Sequence, residues 1–126
     1  MKKSQPAGRY VDGFVAPLPK RNLAKYRRIA AAAGRIWMKH GALEYRECIG
    51  DDLGTKMVLQ FPKMAKAKRG ETVLFSWIVY RNRAHRDRVN AAVMKDPAIA
   101  KMMTVEPAFD LKRMAYGGFR VIVDAK

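Results

Sequence analysis

The segment at residues 72–80 constrains the fold most, because it has the alternation of a β-strand but is apolar on both faces. In a strand, alternate side chains point to opposite faces of the sheet. After Thr72, one face carries Val73, Phe75, Trp77 and Val79, and the other carries Leu74, Ile78 and Tyr80 together with Ser76. An antiparallel sheet needs only one buried face. This strand therefore predicts a sheet that is covered on both sides.

Two shorter strand patterns and one long helix pattern precede this segment. The first strand is predicted at residues 10–16, where Pro17 and Pro19 follow. Asn22 is a good N-cap for a helix whose apolar spacing continues to His40, and Gly41 suits the position after its end. The next strand is predicted at residues 42–49. Residues 50–70 form a long connection, in which a short helix is expected after Pro62.

The remaining elements are a second helix and a last strand. Asn82 can cap a helix over residues 83–95, and Asp96 followed by proline ends it. One further helical turn is predicted at residues 98–103. The last strand is predicted at residues 113–123, with Gly117 and Gly118 as a bulge or a point of close approach.

The order strand, helix, two strands, helix, strand predicts an α+β fold of the ferredoxin-like β-α-β-β-α-β type, with an antiparallel four-stranded sheet. The length of 126 residues fits one domain over residues 9–126, preceded by a flexible tail over residues 1–8. Two helices cover only one face of such a sheet. The apolar second face therefore predicts a homodimer that forms through the open sheet face.

Composition narrows the function classes. No apolar run approaches the length of a membrane span and no secretory leader is recognisable, so a cytoplasmic protein with no membrane partner is expected. Cys48 is the only cysteine, and His40 and His85 lie far apart in sequence, so neither a disulfide nor a metal site is predicted. The glycines do not have nucleotide-binding spacing, and two serines make a serine triad improbable.

The net charge of +15 favours a polyanionic partner. Basic residues cluster in three stretches, at residues 20–39, 56–69 and 81–88, and the first two contain no acidic residue. A nucleic acid backbone would bind such a surface with a strong salt dependence. The alternative, a solvated basic surface, fits the lack of any nucleic-acid-binding motif better.

Polar residues on the strands and at the helix ends are the candidates for chemistry. Glu47 falls on the apolar side of its strand, where it needs a partner such as an arginine or else acquires a raised pKa. His85, in the first turn of the second helix, can reach a cleft between helix and sheet, or can serve as a hydrogen-bonded structural histidine. Asp12 and Tyr80 complete the catalytic candidates. The ligand-binding candidates are Glu44, Arg46, Trp77, Arg86 and Tyr116. The alternative for Glu44 and Arg46 is a salt bridge on an exposed sheet face.

Five segments together resemble the YbaA-like family of bacterial proteins of unknown function. They are YVDGFV at residues 10–15, HGALEYREC at 40–48, FSWIVY at 75–80, RAHRDRVN at 83–90, and Met114 with YGGF at 116–119. The resemblance implies the dimeric α/β-barrel superfamily, in which two such sheets meet face to face. That superfamily includes cofactor-free monooxygenases, haem-degrading enzymes and small-molecule binders.

The resemblance weighs against haem chemistry, because haem-degrading relatives depend on an asparagine of the first strand and this chain has Asp12 there. No cofactor is expected. The function predicted is the binding, or also the transformation, of a small molecule in a cleft of each protomer. The alternatives are a polyanion-binding dimer that uses the basic helix surface and a non-catalytic structural module.

Overall fold

A computed structural model describes residues 9–125 and shows four strands that form one antiparallel sheet in the order β2-β3-β1-β4. The α+β class predicted from the sequence is confirmed. The strands are β1 (Tyr10–Pro19), β2 (Glu44–Ile49), β3 (Glu71–Tyr80) and β4 (Ala115–Arg120). The helices are α1 (Leu23–Lys39), α2 (Phe61–Met64), α3 (Arg83–Met94) and α4 (Pro97–Met102). The tail predicted at residues 1–8 lies outside the described residues.

The inner face of the sheet packs against the helices. Two core clusters lie there, the larger around Tyr80, Ile78 and Val89, and the smaller around Leu18 and Leu74. The outer face is partly bare: Phe75 is 46% exposed and Phe119 is 62% exposed. The described residues therefore cover the inner face of β3 but only part of its outer face, where Val73 is buried and Phe75 is not.

β1 is longer than predicted, because the two prolines lie inside it. The N–H of Lys20 donates to the carbonyl of Gly70, on the side of the chain that faces β3. Because successive N–H groups alternate in direction, the nitrogens of Pro17 and Pro19, which carry no hydrogen, face the opposite side. β4 pairs with β1 only as far as Val15, so no hydrogen bond is lost there. A proline is tolerated in a strand at such an unpaired edge.

β4 is shorter than predicted at both ends. The strand ends at Arg120, which lies opposite Tyr10, where β1 begins, and one further hydrogen bond joins the N–H of Val121 to the carbonyl of Arg9. Arg113 lies in a 3-10 turn before the strand. The register shows no bulge, but Gly118 is a point of close approach, since a Cβ there would overlap the Tyr10 hydroxyl.

The helix boundaries agree with the sequence patterns to within about two residues, but one cap was predicted wrongly. Asn82 caps α3 through its side chain, which accepts a hydrogen bond from the N–H of His85 at 2.8 Å. Asn22 does not cap α1 and instead donates to the carbonyl of Ala108 at 2.8 Å. α1 is thereby tied to the loop before β4. In the 50–70 connection, the short helix α2 begins one residue before Pro62 rather than after it.

Candidate functional site

Glu47 of β2 points inward and is held by three hydroxyl groups. Tyr26 donates to Oε1 at 2.7 Å, Tyr45 donates to Oε2 at 2.6 Å, and Ser76 donates to Oε1 at 2.5 Å. The period of two places Glu47 on the same face as Tyr45, and the β2–β3 register places it opposite Ser76. The remaining donor, Tyr26, belongs to α1, which lies over this face of the sheet. A half-buried carboxylate thus lies between helix and sheet.

Gly34 allows α1 to come this close to β2. A Cβ on Gly34 would lie 2.9 Å from Cδ1 of the Tyr45 ring. Gly34 is itself buried in the helix interior, where glycine costs stability relative to alanine. This close approach therefore explains the glycine, and it sets the position of the Tyr45 hydroxyl that donates to Glu47.

Two cavities meet at the Glu47 cluster, which we define as Glu47, Tyr26, Tyr45 and Ser76. An open groove of about 570 Å³ runs between α1 and the edge strand β2, and a smaller cavity of about 220 Å³ lies between α1 and the middle of the sheet. Glu47, Tyr26 and Tyr45 line both. The inner cavity is otherwise mainly apolar, with walls that include Phe14, Trp37, Ile78, Phe109 and Met114.

The electrostatics keep the two phenols of the cluster protonated. Burial, together with the negative charge of Glu47, raises the pKa of Tyr26 and of Tyr45 far above its ordinary value. Both therefore remain hydrogen-bond donors at all physiological pH values. The arginine partner expected for Glu47 is not found among residues 9–125, where hydroxyl groups take its place. A carboxylate can accept about four hydrogen bonds, so one position remains for a ligand.

Asp12 belongs to a second, separate cluster on the inner face. Its carboxylate is 2% exposed and receives Nη1 of Arg86 at 2.7 Å. The same Nη1 lies 2.9 Å from the hydroxyl of Tyr116, and the guanidinium stacks 5.0 Å from the centre of the Tyr10 ring. Burial raises the pKa of Asp12, and the charge of Arg86 acts against that rise. We call Asp12, Arg86, Tyr10 and Tyr116 the Asp12 cluster.

His85 and Tyr80 lie in the core beside neither cavity. Nδ1 of His85 accepts the N–H of Arg81 at 2.9 Å, and the other side of the ring faces the backbone of Gly41. Burial lowers the pKa of His85, so the neutral ring is favoured. Tyr80 is fully buried and donates to Asn90 at 3.3 Å. Of the two interpretations of His85, this geometry fits the structural histidine.

Three ligand-binding candidates lie on the outer face of the sheet. Trp77 donates through Nε1 to Glu44 at 2.8 Å, and Nε of Arg46 lies 4.0 Å from the same oxygen. The predicted pairing of Glu44 with Arg46 is therefore present, at the limit of an ion pair. Of the sequence-predicted site residues, the structure brings Asp12, Arg86 and Tyr116 together. It places Glu47 in the other cluster and His85 in the core.

The basic residues of α1 are largely on its solvent side, where Arg28 and Arg35 are exposed. Binding of a polyanion there stays a prediction. Among residues 9–125, no three His, Cys, Asp or Glu side chains lie close enough together to form a metal site. No helix in the same part of the chain has the length and apolar character that crossing a bilayer requires.

The candidates predicted from the sequence include Glu47 but not the other three members of its cluster, Tyr26, Tyr45 and Ser76. Tyr26 fits the apolar helix spacing of α1, and Tyr45 and Ser76 fit the alternation of their strands, so these patterns do not mark them as polar partners of Glu47. Ser76 does carry a signal, since it is a small polar residue between the apolar Leu74 and Ile78 on one face of β3. Its position opposite Glu47 follows only from the register, and the approach of Tyr26 follows only from the packing of α1.

These features define an α+β protein in which a hydroxyl-bound carboxylate faces a groove between helix and sheet. Residues 9–111 match the family described as "Protein of unknown function (DUF1428)", and the chain belongs to this family. It is 40% identical over 116 residues to "Uncharacterized protein YbaA" of Escherichia coli strain K12, covering 92% of this chain and 98% of that one. The same figures hold for "Uncharacterized protein YbaA" of Shigella flexneri.

Among solved structures, the chain is similar to "De novo designed protein Foldit4". The TM-score is 0.44 and the sequence identity is 9%, over 92% of this chain and 99% of the designed one.

Proposed function

We propose that this protein binds a small molecule in the groove between α1 and β2, with the Glu47 carboxylate as its polar anchor. The observation that carries the proposal is the Glu47 cluster itself. An inward carboxylate has three hydroxyl donors, no cationic partner within residues 9–125, and an open cavity on each side. Structural carboxylates that are buried are normally paired with a cation.

The ligand that fits this anchor has a hydrogen-bond donor and an apolar body. Tyr26, Tyr45 and Ser76 already act as donors, so Glu47 has accepting capacity left but the cluster has no free donor to offer. A hydroxyl or amine on the ligand would donate to the acceptor position of the Glu47 carboxylate that remains unoccupied. The apolar walls around it suit a hydrocarbon or aromatic body.

The proposal is tested by screening the protein against a library of small alcohols, amines and acids with apolar bodies. Binding is detected by thermal shift and measured by tryptophan fluorescence, because Trp37 lines the inner cavity. Compounds that bind through Glu47 should lose about tenfold in affinity for Glu47→Gln, which replaces a charged acceptor with a neutral amide.

Glu44→Gln is the matched control, since Glu44 is on the same strand but on the opposite face. It should leave the dissociation constants unchanged. Equal losses for the two variants, or a library without binders to the folded wild type, would contradict the proposal.

A second proposal concerns the partner: we propose that two copies of the chain pair through the outer face of the sheet. Phe75 and Phe119 are exposed there, and the rings of Phe75 and Trp77 lie 5.6 Å apart. A two-fold interface must be complementary to itself. This face carries both the carboxylate of Glu44 and the guanidinium of Arg46 beside the apolar patch, so it can pair with its own copy.

Light scattering coupled to size exclusion tests the homodimer. The wild type should have the mass of a dimer at micromolar concentration, and Phe75→Glu should have that of a monomer. Met94→Glu places the same charge on an exposed apolar position of α3, away from the sheet, and should leave the dimer intact. A monomeric wild type overturns this proposal.

A further inference from the structure

Two arginines line the groove of about 570 Å³ from the same row of α1. Arg27 and Arg35 are separated by eight residues, so they project from one side of the helix about 12 Å apart along its axis. Both are exposed, and neither forms an ion pair with another side chain in the described part of the chain. The rim of the groove therefore carries two guanidinium groups available to an anion.

The surfaces between the rim and Glu47 are apolar. Leu23, Ala30 and Leu74 form part of the wall, and Met38 and Ile49 form apolar lips that are 46% and 41% exposed. An apolar ligand body would cover these lips and remove their surface from water, which is the main source of affinity in such a groove.

The groove has side chains of opposite charge at its inner end and at its rim. Glu47 at the inner end repels an anionic group, whereas Arg27 and Arg35 at the rim attract one. We infer that the ligand is an anionic amphiphile, whose acid group lies at the Arg27 and Arg35 rim and whose apolar chain runs inward to a hydroxyl or amine at Glu47. This inference rests on the proposed function and adds the chemistry of the other end of the ligand.

Three matched probes separate the two ends of the ligand: ω-hydroxydodecanoate, dodecanoate and dodecanol, with the two acids below their micelle concentrations and the alcohol below its solubility limit. Dissociation constants are measured by fluorescence for the wild type and for Arg27→Gln/Arg35→Gln. The acid ω-hydroxydodecanoate should bind the wild type about fivefold more tightly than dodecanol, as expected for exposed charge pairs. The double variant should lose that preference.

The control is Arg21→Gln/Arg28→Gln, which removes the same two charges from exposed positions outside the groove. It should keep the preference for the acid. Equal binding of acid and alcohol to the wild type, an equal loss in the control variant, or no binding of any probe overturns the inference. The Glu47 anchor is judged separately: Glu47→Gln should abolish the advantage of ω-hydroxydodecanoate over dodecanoate, and an undiminished advantage counts against the proposed function.

Discussion

Asp12 and Glu47 are both carboxylates on the inner face of one sheet, but their surroundings differ in two respects. Asp12 is 2% exposed and is neutralised by Arg86 at 2.7 Å, beside neither cavity. Glu47 is half-buried, receives only hydroxyl groups, and lines both the groove and the inner cavity. The Asp12 carboxylate is shielded from solvent and paired with a cation, whereas the Glu47 carboxylate faces a groove and can accept one further donor.

The difference shows how a structural carboxylate is distinguished from a binding carboxylate. A buried ion pair loses much stability when one partner is removed, because the other charge is left in the protein interior. A carboxylate held by hydroxyl groups next to a groove can exchange those bonds for water. Substitutions at the Asp12 cluster should therefore affect folding, and substitutions at Glu47 should mainly affect binding.

The largest effect is expected for Arg86→Met, which leaves Asp12 charged and buried. We expect the free energy of unfolding at pH 7 to fall by about 3 kcal/mol, measured by urea denaturation. Without Arg86 the folded-state pKa of Asp12 lies above its unfolded value, since burial already raises it. The variant should therefore recover stability relative to wild type as the pH falls and Asp12 takes up a proton.

Arg88→Met is the control for this prediction, because Arg88 is an exposed residue of α3. It should change the stability by less than about 0.5 kcal/mol. If Arg86→Met lowers the free energy of unfolding by no more than Arg88→Met does, the Asp12 cluster does not stabilise the fold in the way described.

A smaller effect is expected for Glu47→Leu, which removes the acceptor of three hydroxyl groups. Tyr26 and Tyr45 line the open groove and can donate to water instead, so the loss should be about 1.5 kcal/mol in the same urea experiment. Glu47→Gln keeps the shape and should cost about half as much. A loss for Glu47→Leu as large as that for Arg86→Met would remove the distinction between the two clusters.

Gly34→Ala tests the contact that positions Tyr45. The added methyl group would lie 2.9 Å from the Tyr45 ring, and crowding of this kind costs about 2 kcal/mol, whereas the gain in helix propensity is about 1 kcal/mol. A net loss of about 1 kcal/mol is expected. Ligand binding should also weaken, because the Tyr45 hydroxyl that donates to Glu47 moves. Gly54→Ala, where nothing lies within 4 Å, is the control and should leave binding unchanged.

Glu71 is a third carboxylate for this comparison, and it forms a partly buried ion pair with Arg113. Arg113 donates to its two oxygens at 2.7 and 2.8 Å and lowers its pKa to about 2. A carboxyl whose folded pKa is depressed contributes stability above its unfolded pKa and loses it as the pH falls toward the folded value. The melting temperature should therefore fall between pH 5 and pH 2, and Glu71→Gln should flatten this slope. An unchanged slope in the variant would show that other carboxylates dominate.

The sequence predicts the elements well and the assembled site only partly. Alternation along β2 places Glu47 inside, because the strand period depends only on local backbone geometry. The donors Tyr26 and Ser76 lie 21 and 29 residues away, and their convergence depends on helix packing and strand register. Arg86 shows the same limit, since its partner Asp12 is 74 residues away. Contacts of this kind join different elements, so the residue pattern of a single helix or strand cannot predict them.

The most direct test of the central claim is a map of amide chemical shifts in the nuclear magnetic resonance spectrum, recorded while the strongest binder from the screen is added. The account predicts that the largest changes occur at Gly34, Glu47 and Ser76, around the groove. Amides at Asp12 and Arg86 should change little. Changes concentrated at the Asp12 cluster, with none at Glu47, would contradict the assignment of Glu47 as the ligand anchor.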